Sequence, residues 1–114
     1  MLKRLLERWR RPAAPLAVRL YTRADCPLCT EMKAELARAR VGTPYELEEV
    51  DIAGDRELLE RHGLSIPVLE IAGRVAFKGR LTARDFERKL ARRAQELRAG
   101  EPARGRGEEG AHRG

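Results

Sequence analysis

A chain of 114 residues has room for one compact domain with a modest core and not for two. With 42% hydrophobic, 37% charged and only 4% aromatic residues, a small core inside a heavily charged surface is expected. The net charge of +6 does not by itself imply a nucleic-acid-binding domain: residues 1–15 hold five basic side chains against Glu7, while the stretch 16–98 carries 16 basic and 14 acidic ones.

At the N-terminus, Leu2, Leu5, Leu6 and Trp9 recur at the spacing of one helical face, opposite Lys3, Arg4, Arg8, Arg10 and Arg11. Pro12 and Pro15 end that pattern, so residues 1–15 read as a basic amphipathic arm. The arm packs on the domain, frays in solvent, or rests on an anionic membrane or partner. The chain has no apolar run of 18 residues, and MLKRLLERWRRP lacks the core and cleavage site of a secretory signal, so the expected compartment is the cytoplasm and a membrane role is not expected.

From Leu16 to Thr22, apolar Leu16, Val18 and Leu20 alternate with Ala17, Arg19 and Tyr21, the period of a strand. Pro27 then suits the first turn of a helix, where its missing N–H costs nothing. Leu28, Met32, Leu36 and Ala39 continue at helical spacing until Gly42. Residues 44–52, PYELEEVDI, read as a second strand, and Gly54 and Asp55 introduce a short helix that Gly63 closes. IPVLEIA and RVAFKG flank Ala72-Gly73, the signature of a hairpin. Thr82 with Asp85 resembles a capping box, and Leu81, Phe86, Leu90 and Leu97 mark the inner face of a last helix. Residues 99–114 show no apolar periodicity and read as a disordered tail.

The order β-α-β-α-β-β-α over residues 16–98 implies an α/β domain. Its first half needs a helical crossover between parallel strands and its second adds an antiparallel hairpin, so the simplest assembly is one four-stranded mixed sheet with helices on its faces.

Both cysteines of the chain lie in ADCPLCT, three residues apart, with Cys26 at the expected N-cap. The partial positive charge and free N–H groups of a helix N-terminus favour a thiolate, which makes Cys26 the candidate nucleophile. Cys29, one turn further in, is placed to attack a mixed disulfide formed at Cys26 and resolve it. Arg23 would support the thiolate if it points inward, and Asp25 would oppose it if its carboxylate lies close. Two other readings stand beside redox exchange. A zinc site would need two more ligands, and His62 and His112 are the only further soft ones, so no metal is expected. A pair of buried, inert thiols would be purely structural. For Lys33, one turn after Cys29, a solvated helix position and a thiolate partner are both open, and His62 reads as a helix-end residue before Gly63.

SIPVL, residues 65–69, puts Pro67 at the start of an expected strand, where it forfeits a ladder hydrogen bond. An edge-strand proline would explain it without any functional role.

LYTRADCPLC, with Arg23 three residues before Cys26, together with SIPVL and the element order, resembles the glutaredoxin-like branch of the thioredoxin fold over about residues 16–95. The resemblance implies a thioredoxin-like domain in which Cys26 is the nucleophile and Cys29 the resolver. It further implies that the Ile66–Pro67 bond is cis, beside the nucleophile, with the Ile66 backbone offered to an extended substrate. Arg23, Pro27 and Leu28 complete the substrate-binding set it suggests. Leu28 stands where glutaredoxins usually carry tyrosine, and FKGRLTARDF replaces their Gly-Gly and aspartate segment, so specific glutathione use is not implied.

The leading functional expectation is a cytoplasmic exchanger of thiols and disulfides with no bound cofactor, reducing protein disulfides or mixed disulfides at the expense of a thiol or reductase donor, and acting as a monomer. The alternative from another class is a non-catalytic module that engages an acidic partner or nucleic acid through the basic arm and the Arg84, Arg88, Arg92 and Arg93 face. Glu87 and Asp85 interrupt that face and aromatics for base stacking are scarce, so nucleic acid is not the expected partner.

Overall fold

The computed structural model describes residues 14–100. The arm and tail expected at 1–15 and 99–114 therefore lie outside the described residues, apart from Ala14, Pro15, Ala99 and Gly100.

The elements run in the order β1 (Leu16–Thr22), α1 (Pro27–Arg38), β2 (Tyr45–Asp51), a 3-10 turn (Ile52–Gly54), α2 (Arg56–His62), β3 (Val68–Ile71), β4 (Arg74–Lys78) and α3 (Ala83–Arg98). The four strands form one sheet in the order β2-β1-β3-β4. β1 and β2 are parallel, from Leu16 opposite Tyr45 to Thr22 opposite Asp51. β3 runs antiparallel to both β1 and β4. This is the α/β architecture with a four-stranded mixed sheet that the element order implied, and the thioredoxin-like fold that the resemblance implied.

Alternation in β1 divides the core between the two faces of the sheet. Val18 and Leu20 join Met32, Leu36, Leu69, Ile71, Leu81, Phe86 and Leu90 in a cluster under α1 and α3. Tyr21 points the other way and, with Ile52 and Val68, packs beneath α2 through Leu58, Leu59, Val50 and Ile66. Phe86 and Leu90 are fully buried, and such side chains contribute about 1.5–3 kcal/mol each on leaving water.

Local chemistry agrees with these boundaries. Thr82 caps α3 by accepting the Asp85 N–H at 3.1 Å, and Asp55 caps α2 by accepting that of Leu58 at 3.1 Å. Two carboxylates tie α1 to α3: Glu35 accepts the Ala83 N–H at 2.8 Å, and Glu87 accepts that of Arg40 at 2.7 Å. α1 stops at Arg38, four residues before the Gly42 that the apolar spacing suggests as its end, because Ala39 is already extended at the C-cap. The β3–β4 turn places Ala72 at φ 51° and Gly73 at φ 81°. Positive φ at both central residues is what a two-residue type I′ hairpin turn demands, and glycine meets it freely while alanine does not.

Gly63 closes α2, though not by the left-handed conformation that makes glycine common at helix ends. Its backbone is right-handed, φ −55° and ψ −31°. A Cβ at this position would run into the Leu59 carbonyl, so the missing side chain makes space for the helix end.

Candidate active site at the Cys26–Cys29 edge

Past Thr22 the chain leaves the sheet and turns through Arg23, Ala24 and Asp25, all exposed. Asp25 takes φ 59°, a left-handed conformation that aspartate tolerates better than most residues. The turn delivers Cys26 to the N-cap of α1 with extended backbone, φ −115° and ψ 101°, and Pro27 occupies the first turn.

Cys26 and Cys29 are joined in a disulfide, with their Cα atoms 5.2 Å apart. The Cys29 backbone N–H donates to the Cys26 Sγ at 3.1 Å. The two residues differ in access: Cys26 is half-buried and Cys29 only 3% exposed. Pro27 is exposed beside them and Leu28 half-buried.

Pro67 reaches the same end of the sheet from the other side. Tyr21 pairs with Val68, so the residue before Val68 comes level with Thr22, at the root of the cysteine turn. Pro67 is buried and the Ile66–Pro67 peptide bond is cis. It precedes β3, an interior strand of the sheet, so the edge-strand explanation does not apply. The Pro67 carbonyl accepts the Gly79 N–H at 2.7 Å. Ile66 is half-buried against the Tyr21 cluster, and its own backbone N–H and C=O make no hydrogen bond among the described residues.

Arg23 is exposed and makes no ion pair among the described residues. Lys33 is engaged elsewhere: its Nζ lies 3.0 Å from Glu49 Oε2, which also accepts the Thr22 hydroxyl at 3.2 Å. No local pattern announces Glu49, because parallel pairing of β2 with β1 brings it opposite Leu20 from a remote part of the sequence.

His62 is more than a helix-end residue. It is 5% exposed, with its ring 4.5 Å from that of Tyr21 and its Nε2 without a hydrogen-bond partner. Burial above all, then the charges of Arg61 and Lys78, push its pKa below the usual 6.5. Tyr21 donates its hydroxyl to Glu70 at 3.1 Å. Burial, foremost, raises its pKa, Arg19 opposing and Glu70 adding to the effect.

The arginine face expected on the last helix is not continuous. Arg93 is 5% exposed, donating to Glu96 at 3.3 Å and to the Ala72 carbonyl at 3.4 Å. Arg88 pairs with Asp85 at 2.9 Å. Helical spacing groups Arg93 with Arg84, Arg88 and Arg92, but α3 turns it toward the β3–β4 turn. Among the described residues no group of three or more His, Cys, Asp or Glu side chains is placed to hold a metal, and no helix is long and apolar enough to cross a membrane.

A cysteine pair at disulfide distance on a helix N-terminus, on a thioredoxin-like sheet, is consistent with a redox role. No curated protein matches the sequence. The family model described as glutaredoxin-like domain (DUF836) matches residues 17–91, from within β1 to within α3 and including both cysteines and Pro67. The chain belongs to this glutaredoxin-like family.

Proposed function

We propose that this protein is a thiol-disulfide oxidoreductase that reduces protein disulfides or mixed disulfides through Cys26 and Cys29. The observation that carries the reading is the asymmetry of the pair: Cys26 is half-buried on the helix N-terminus, its sulfur within reach of a backbone N–H, while Cys29 lies inside.

In the reduced protein, the helix N-terminus and the Cys29 N–H favour the Cys26 thiolate. That thiolate attacks one sulfur of the client disulfide. The client S–S bond breaks, a Cys26–client bond forms, and the departing client thiolate takes up a proton. Cys29, after giving up its proton, attacks the Cys26 sulfur and expels the second client thiolate, which is protonated in turn. Two electrons and two protons pass from the dithiol to the client, leaving the Cys26–Cys29 disulfide. A thiol or a reductase restores the dithiol by the reverse exchange.

The Ile66–Pro67 segment forms the docking edge in this scheme, with Pro27 and Leu28 flanking the nucleophile and Arg23 available to a client's charge. No bound cofactor is required. The reaction belongs in the cytoplasm, where thiols are kept reduced. Neither nucleic acid nor a membrane has a part in it, the protein acts as a monomer, and glutathione is not its specific partner.

The test is substitution of each cysteine in turn. Cys26→Ser abolishes reduction of a disulfide substrate, whereas Cys29→Ser accumulates a mixed disulfide visible by mass spectrometry. Activity equal to wild type in both variants would sink the mechanism.

A further inference from the structure

Leu64 touches almost nothing. Its relative exposure is 105%, against 43% for Leu47 and for Val75, the other large apolar residues exposed among those described. It sits on the turn that links α2 to Pro67, closed by the Ser65 N–H donating to the His62 carbonyl at 2.8 Å. Turns favour Gly, Asn, Asp or Ser for backbone reasons, and none of those reasons selects leucine. A fully solvated leucine also adds nothing to the core.

An exposed leucine alone would need no explanation. This one is two residues from Ile66, so the two Cα atoms lie within about 7 Å of each other. Half-buried Ile66 has an unpaired backbone N–H and C=O, and half-buried Leu28 and exposed Pro27 stand at the same end of the sheet. Leu64 therefore places a solvated apolar side chain two residues from an open stretch of backbone, at the end of the sheet where the cysteine turn begins. An extended peptide supplies what this segment lacks: main-chain donors and acceptors for Ile66, and a side chain to cover Leu64. Glutathione supplies the first and not the second, because its residues flanking cysteine carry no apolar side chain.

We infer that Leu64 is a specificity-determining residue that selects extended polypeptide clients bearing an apolar side chain close to the reactive cysteine. The inference rests on the proposed exchange reaction for its purpose, but its physical content is binding, so binding tests it separately. The probe is a fluorescent peptide with both cysteines S-methylated and a leucine adjacent to one of them, titrated into the full-length protein and followed by anisotropy. Leu64→Ser weakens binding by about fivefold or more, as expected for losing much of one leucine's burial. Leu64→Met restores it, and a peptide with serine in place of the leucine binds wild type as weakly as the parent peptide binds Leu64→Ser. Leu47→Ser, on the far edge strand, leaves binding unchanged. Because Leu64 makes no core contact, loss of folding does not confuse the comparison. Equal affinity of wild type and Leu64→Ser for the leucine peptide would overturn the inference. Reduction of bis(2-hydroxyethyl) disulfide by the pre-reduced wild-type protein, one disulfide per dithiol, reports on the cysteine chemistry alone, so inert thiols with Leu64-dependent binding, or active thiols without it, are told apart.

Discussion

The imidazole of His62 packs on the ring of Tyr21, centroids 4.5 Å apart and planes tilted by 31°. One ring ends α2 and the other sits in β1, just before the cysteine turn. The contact therefore joins the helix that feeds Pro67 to the strand that feeds Cys26.

Burial of this imidazole, with the charges of Arg61 and Lys78 adding to it, makes stability depend on pH. His62 has a folded pKa below its unfolded value of 6.5, so between the two values the unfolded chain binds more protons than the folded one. Its contribution is complete above about pH 6.5 and is lost as pH falls through the folded pKa. Urea midpoints measured between pH 8 and pH 5 are expected to fall in that window for wild type. His62→Phe keeps a ring against Tyr21 and removes the orphan Nε2, so it is expected to match or exceed wild-type stability at pH 7.5, by up to about 1 kcal/mol. Its midpoint stays flatter towards pH 5; an unchanged slope in the variant would assign the pH dependence to other groups.

Gly63→Ala tests the geometry on the other side of the same histidine. The added methyl meets the Leu59 carbonyl, which belongs to the backbone and cannot rotate away. A loss of about 1–3 kcal/mol is expected from the forced shift, read as a lower denaturation midpoint with an unchanged slope. A variant as stable as wild type would show that the end of α2 relaxes without cost.

Much of the fold was legible because its signals are local. Alternation marks β1, Pro27 marks the start of α1, and Thr82 with Asp85 marks the start of α3. The spacing of Cys26 and Cys29 and their place between strand and helix identified the candidate site for the same reason. What was hidden depends on pairing between distant segments. Strand order puts β3 in the interior and so changes the meaning of Pro67, and parallel register brings Glu49 to Lys33 and Thr22. The burial of His62 and Arg93 is decided by what packs over them, which a period of 3.6 residues does not encode. Gly63 shows a subtler case: its place at a helix end was readable, while the reason for glycine there lies in a steric contact with Leu59.

The exchange chemistry of Cys26 and Cys29 is tested most directly by equilibrating the full-length protein in glutathione redox buffers at pH 7 and quantifying the oxidised fraction by thiol alkylation and mass spectrometry. A reversible two-electron transition with a midpoint between about −180 and −270 mV, the span of known dithiol exchangers, is expected. A pair that stays wholly reduced or wholly oxidised across the buffers, or that does not return on reversal, would contradict a role in exchange.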